Sequence, residues 1–144
     1  MFAPAETAIA VEVLDEALAG DEDYRIVGAY ERGADMLVGF ACWGPTPATA
    51  GTWDLYWIAV DPVWQGKGIG SDLLEEVERR LAAEGGRLLV AETSSRAEYA
   101  PTWGFYERRG FRRAAVVPEY YAPGDDLVIY LKDLRHGVLA TPAS

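Results

Sequence analysis

The stretch that most constrains the fold runs from Thr52 to Ala83. It reads T-W-D-L-Y-W-I-A-V, then D-P-V-W, then Q-G-K-G-I-G from Gln65 to Gly70, then a segment carrying Leu73, Leu74, Val77 and Leu81. The three-and-four spacing of those four apolar residues predicts a helix over Ser71–Glu84 with one face packed on a sheet. The aromatic and β-branched residues of Thr52–Val60 predict a strand before it. Glycines at 66, 68 and 70 let successive amides turn inward without side-chain obstruction, and the first amides of a helix are unsatisfied donors at the positive end of its dipole. Strand, glycine turn and helix together make a cradle for an anion, best suited to phosphate.

Two familiar nucleotide loops are excluded. A dinucleotide fingerprint starting at Gly66 needs glycine at 71, where Ser71 stands, and a phosphate loop of the Walker type needs Ser or Thr after Lys67, where Gly68 stands. The run V-D-P-V-W-Q-G-K-G-I-G-S-D-L-L instead resembles the coenzyme A loop of the GNAT family of N-acetyltransferases, Q/R-x-x-G-x-G/A, with Gln65, Gly68 and Gly70 in the fixed places. A second stretch, F-Y-E-R-R-G-F from Phe105 to Phe111, is similar to the F/L-Y-x-x-x-G-F signature that follows this loop in the same family, in the right order and at the right distance. The resemblance covers about residues 24–133. It implies an α/β (α+β) fold: a mixed, mostly antiparallel twisted sheet flanked by helices, with two parallel strands splayed apart to admit the pantetheine arm.

The 144 residues, half of them hydrophobic, suit one domain with a substantial core, residues 1–144. Thirteen basic against twenty-three acidic residues give a net charge of −10, which opposes nucleic acid and anionic membrane as partners and favours a cationic one. Cys42 is the one cysteine, so no intrachain disulfide can form, and a reducing compartment follows. No signal peptide or spanning segment is legible, and a cytoplasmic protein is expected. His136 has no metal-ligand spacing about it, and no metal is expected.

Along the chain, Pro4–Ala19 has helical character, with Val11, Leu14 and Leu18 on one face. GNAT chains usually open with a strand and two helices that help to wall the acceptor site, and the room before Tyr24 suffices for about half of that. The wall is then open, or another segment closes it, and a homodimer is one way to supply such a segment. Tyr24–Tyr30 and Met36–Trp43 predict a hairpin turned at E-R-G-A-D, and Gly44–Gly51 predicts a loop. After the helix, Gly85 and Gly86 predict a stop and Arg87–Glu92 a short strand. Strand, helix, strand is the right-handed parallel crossover. Tyr99–Arg109 predicts a short helix, and Phe111–Pro118 and Asp126–Leu131 a strand pair separated by the loop E-Y-Y-A-P-G-D. A mixed tail, residues 135–144, closes the chain. Cys42 is expected to be buried and inert, and the five tryptophans to fill the core and cleft walls.

Acetyl transfer from a thioester to an amine needs a neutral amine, a donor to the developing oxyanion and a proton for the departing thiolate. The resemblance assigns backbone groups of Ile58, Ala59 and Val60 to an extended pantetheine, which would add like a further strand, and the Val60 amide to the thioester carbonyl. It assigns the pyrophosphate to Gln65, Gly66, Lys67, Gly68, Ile69, Gly70 and Ser71. Tyr106 matches the tyrosine that protonates the thiolate in many relatives. Asp54, eleven residues before Gln65, matches the position of a glutamate base in some; being one methylene shorter, it would act through a water. Many relatives carry an asparagine about seven residues before the tyrosine to bind pantetheine, and here Tyr99 stands there. Arg109, like Lys67, is a candidate for the coenzyme phosphates. Alternation along Thr52–Val60 puts Asp54, Tyr56 and Ile58 on one face, and Tyr56, Glu92 and Tyr120 are candidates for binding a cationic acceptor through charge and cation–π contacts. The expected activity is direct transfer of acetyl from acetyl-coenzyme A, as co-substrate, to the primary amine of a small molecule or peptide. The alternative is a non-catalytic module that senses acyl-coenzyme A and acts through a protein partner.

Overall fold

The computed structural model describes residues 9–14, 24–33 and 35–135. By their contacts these residues fall into two compact units assembled from alternating segments: residues up to Pro45 with Leu55–Glu84, and Thr46–Asp54 with the residues from Gly85 onward.

In the first unit, strands β1 (Ile9–Leu14), β2 (Arg25–Glu31) and β3 (Met36–Pro45) form an antiparallel meander. Ile9 lies opposite Glu31 and Leu14 opposite Ile26, so the helix expected over Pro4–Ala19 is overturned where the chain is described. The physical reason is the alternation I-A-V-E-V-L, which puts β-branched Ile9, Val11 and Val13 at every second position and has a neighbouring strand to pair with. The apolar spacing that suggested a helix belongs partly to residues outside those described. The β2–β3 hairpin forms as expected, with a register shift between Ala29 and Tyr30.

The predicted strand over Thr52–Val60 is β4, with those bounds. Its last six residues belong to the first unit. It leads through a single helical turn at Pro62–Trp64 to helix α1 (Ile69–Ala83). The helix begins two residues earlier than the apolar spacing implied, because Ile69 is itself buried and anchors the first turn. Ile69, Leu73, Leu74, Val77 and Leu81 make its buried face, which lies over β2 and β3; removing each such side chain from water contributes roughly 1.5–3 kcal/mol. Gly39 permits this packing. A Cβ there would stand 2.9 Å from the Ala59 carbonyl oxygen and 3.3 Å from Leu73 Cδ1, so any side chain would push β3 away from β4 and α1.

In the second unit, β5 (Leu88–Ser94) pairs antiparallel with β7 (Asp125–Asp133), and β7 pairs antiparallel with β6 (Arg112–Ala122). Helix α2 (Ala100–Arg108) precedes β6, with Pro101 in its first turn. Leu89, Ala91, Leu127, Val128 and Tyr130 are buried on this sheet, together with Tyr106 and Phe111. The expected loop at 119–125 is corrected: Glu119–Ala122 continues β6, and the chain turns only at Pro123–Gly124. Two carboxylates hold this shape. Asp126 accepts from the Glu119 amide at 2.8 Å, and Glu119, at φ 54°, accepts from the Gly124 amide at 3.2 Å. The strand therefore runs through a bulge. Cys42, Trp43 and Trp53 are buried as expected, but Trp57 is 67% exposed and fills no core. The expectations for the tail and His136 fall outside the described residues.

Candidate functional site

The phosphate cradle is built from the end of β4 upward. The Asp61 amide donates to the Val38 carbonyl at 2.8 Å, fixing the chain against β3 as it leaves the strand. The Asp61 carboxylate then accepts from the Val63 amide at 2.9 Å, and the Trp64 amide donates to the Asp61 carbonyl at 2.8 Å. Gln65 closes the turn: its side-chain Nε2 donates to the Val60 carbonyl at 3.0 Å. That bond engages the carbonyl side of Val60.

Gly66 and Gly68 then take left-handed conformations, φ 79° and 85°, which other residues adopt only with strain. Gly68 is the N-cap of α1 and contributes no side-chain cap. The helix's backbone ladder starts with the Asp72 amide on the Gly68 carbonyl at 3.0 Å, so the amides of Ile69, Gly70 and Ser71 precede it, at the positive end of the dipole. A Cβ at Gly66 or Gly68 would meet no atom within 4 Å. Apart from their chain neighbours, nothing crowds these two glycines. Gly70, by contrast, lies inside the helix and needs no unusual backbone. Lys67 is exposed beside the turn. Ile58 and Val60 are partly exposed and Ala59 exposed, so the end of β4 is accessible. Tyr56 is 37% exposed and packs on Tyr24, ring centroids 5.2 Å apart.

In the second unit Tyr106 is 6% exposed, its ring against Phe105, Phe111 and Tyr130 at 5.6, 5.1 and 5.7 Å. Burial raises its pKa from 10.0 to about 12, so the phenol is a proton-bearing donor throughout the physiological range. Arg109 is folded back onto its own helix. It donates to the Phe105 carbonyl at 3.2 Å and lies 4.1 Å from the centre of the Phe105 ring, an arrangement that caps α2. Asp54, at the start of β4, is half-buried, with its neighbours Trp53 and Leu55 turned into the core.

Glu92 is exposed on β5, and the structure brings it together with Tyr120 around Tyr121, a residue of the acidic aromatic stretch 119–126 that also reads from the sequence as suited to a cation. Tyr121, 46% exposed, has its phenol pKa raised by partial burial first, then by the charges of Glu92, Tyr120, Asp125 and Tyr99. Tyr120 stands edge-on to it with centroids 5.1 Å apart. Tyr99, standing where many relatives have asparagine, thus belongs to this aromatic and acidic patch. The pairing of β5 with β7 assembled it from residues nearly thirty apart in sequence, which only a sheet register could have foretold. Asp125 is engaged with the Ser94 hydroxyl and Asp126 with the Glu119 amide, so those acids shape the turn. Among the described residues no three His, Cys, Asp or Glu side chains are grouped to hold a metal ion, and no helix is long and apolar enough to cross a membrane.

Sequence and fold comparisons agree with this geometry. The profile of the acetyltransferase (GNAT) family matches residues 2–111. The chain belongs to this family and has its α/β fold. It is 32% identical over 120 residues to the blasticidin-S acetyltransferase of Streptomyces morookaense, covering 78% of this chain and 76% of that protein. It spans only 29% of the length of a Mycobacterium leprae protein to which it is 35% identical over 113 residues. A crystal structure of a GNAT-family protein from Desulfovibrio desulfuricans superposes with a TM-score of 0.75 at 52% identity, covering 78% of this chain and 70% of that one. A GNAT acetyltransferase from Elizabethkingia anophelis with acetyl-CoA bound shares the fold at a TM-score of 0.71 and 16% identity, over 88% of this chain and 98% of that one.

Proposed function

We propose that the chain transfers an acetyl group from acetyl-coenzyme A to the primary amine of a small cationic acceptor. The observation that carries this reading is the pair of left-handed glycines before α1, which leaves backbone donors facing open space in a chain of this family. Coenzyme A matches the donor set, because a pyrophosphate on helix-start amides needs no cationic side chain. On this reading Gly66–Ser71 hold the pyrophosphate, Ile58–Val60 offer backbone groups to the pantetheine, and the Val60 amide polarises the thioester carbonyl. Arg109 drops to a supporting role, because its guanidinium is already committed to Phe105.

Asp54 takes the proton of the arriving ammonium through a water, and Tyr106 donates to the sulfur as charge builds there. Burial of Tyr106 supports a donor role, since it keeps the phenol neutral. Glu92 with Tyr120, Tyr121 and Tyr99 suits an ammonium through charge and cation–π attraction. The net charge of −10 favours the approach of such an acceptor. Two relatives are by name a blasticidin-S acetyltransferase and, in Bacillus subtilis, an S-(2-succino)cysteine N-acetyltransferase, and small polar amines of that kind are the first to test. The test is thioester loss from acetyl-coenzyme A against a panel of polyamines, amino acids, aminoglycosides, nucleoside antibiotics and peptide N-termini. Turnover with at least one amine, with product acetylated on nitrogen by mass spectrometry, is the expected result. Coenzyme binding without turnover on any amine would contradict transfer and leave the sensing module.

A further inference from the structure

Ser94, the last residue of β5, is buried, and with Thr93 it makes up the buried polar residues among those described. A buried hydroxyl is stable only with partners, and this one has a partner on each side. It donates to the Asp125 carboxylate and accepts from the Arg96 amide at 3.0 Å. The Ser94 carbonyl accepts from the Trp103 indole at 2.9 Å, which ties helix α2 to the same residue. Ser95 repeats the grip one place further on. Its hydroxyl accepts from the Asp126 amide at 2.8 Å, and its own amide donates to the Asp126 carbonyl at 3.0 Å.

Each of the two hydroxyl contacts leads to a tyrosine. Asp125 opens β7 and lies opposite Ala122, the last residue of β6, across the turn at Pro123–Gly124. Holding Asp125 therefore holds Ala122, and Tyr121 directly precedes it. On the other side, the Arg96 carbonyl accepts from the Tyr99 amide at 2.9 Å, so the turn that carries Tyr99 hangs from the Ser94 hydroxyl through Arg96. Ser94 and Glu92 stand two places apart on β5 and project from one face of the strand. The clasp thus gathers its partners on the side where Glu92 stands. We infer that Ser94 is a positioning residue, whose hydroxyl sets Tyr121 and Tyr99 about Glu92 and so gives the patch the shape that receives an ammonium; that function rests on this patch binding the acceptor. The charged and titratable groups that face Tyr121 come from each element around it: Glu92 of β5, Tyr120 of β6, Asp125 of β7 and Tyr99 just ahead of α2.

The test uses the whole chain with its tyrosines labelled by carbon-13 at Cζ, the Tyr121 signal being assigned by its loss in Tyr121→Phe. In the unmodified chain this phenol should titrate above its ordinary value of 10.0, because partial burial first, and then the charge of Glu92, keep the proton on. Ser94→Ala removes the hydroxyl, frees Tyr121 from its place beside Glu92 and should bring the titration down towards 10.0. Ser94→Thr, which keeps a hydroxyl, should leave it raised. Propylammonium chloride is the cation probe. Ser94→Ala should need about fivefold more of it than the unmodified chain for the same displacement of the Tyr121 signal, the loss of one ordered cation contact. Circular dichroism checks that each variant folds. A serine with a structural part alone would lower the melting temperature and leave the Tyr121 titration where it was. That result, or Ser94→Thr behaving like Ser94→Ala, would overturn the inference. If Ser94→Ala moves the titration but propylammonium leaves the Tyr121 signal unmoved in every chain, the clasp stands and it is the acceptor reading of the patch that falls.

Discussion

Tyr106 is where packing and chemistry meet in one side chain. Its ring is held among Phe105, Phe111 and Tyr130, so Tyr106→Phe keeps the packing and removes only the hydroxyl. If the phenol donates to the sulfur, turnover should fall by about 10²–10⁴-fold, the usual contribution of a positioned acid, with coenzyme affinity unchanged. An equal loss of affinity would assign the hydroxyl to binding instead. The same burial has a consequence for stability. With the folded pKa raised to about 12 from 10.0, the native state keeps a proton that the unfolded chain gives up. The stability tied to that proton is fully present below pH 10 and is lost as pH rises from 10 towards 12. Melting temperatures followed across this window should fall less steeply for Tyr106→Phe than for the unmodified chain. Tyr106 could be picked out in the sequence because the motif surrounds it, whereas its burial depends on Tyr130, a residue of β7 that no local pattern ties to it. For Arg109 the sequence shows the charge but not the Phe105 ring it folds onto.

At the scale of the element, α1 shows what periodicity can and cannot reveal. Leu73, Leu74, Val77 and Leu81 were legible as one buried face, and all four are buried. Leu81→Ala should cost about 2–5 kcal/mol, the range for emptying a close-packed site, read by denaturant melts as a lower midpoint with an unchanged slope. A loss below that range would mean that the helix end is loosely packed. The exact start of the helix was not legible, because Ile69 adds to the face one turn early and Gly70 tolerates helical geometry as well as a loop. β1 failed for a different reason. Six residues with alternating β-branched side chains carry both a helical and a strand reading, and the partner strand β2 decides between them. β6 failed similarly: E-Y-Y-A-P-G-D has the composition of a turn, yet the carboxylates of Glu119 and Asp126 confine the turn to its last residues.

For the whole molecule, the order of strands and helices from β2 onward and the family were legible because two motifs stood at the right separation in one chain. The division of contacts into two interleaved units was not, since each unit draws on segments far apart in sequence. The grouping of Glu92 with Tyr121 shares that obscurity, being made by the pairing of β5 and β6 with β7. Net charge acts at this scale also. With −10 on the chain and Glu92 at the patch, the KM for a cationic amine should rise as ionic strength goes from low to physiological, while the KM for a neutral amine analogue stays nearly level. Equal salt dependence for both would show that the charge has no part in acceptor capture.

The central claim is that the left-handed turn at Gly66 and Gly68 presents helix-start amides to the pyrophosphate of coenzyme A. Gly68→Val adds a side chain in otherwise open space at φ 85°, where a β-branched residue is strained and would stand over those amides. Calorimetric titration with acetyl-coenzyme A is the direct measurement: the unmodified chain should bind, and Gly68→Val, checked for folding by circular dichroism, should bind at least tenfold more weakly, about 1.4 kcal/mol. Binding of equal strength by both, or heat from neither, would contradict the account.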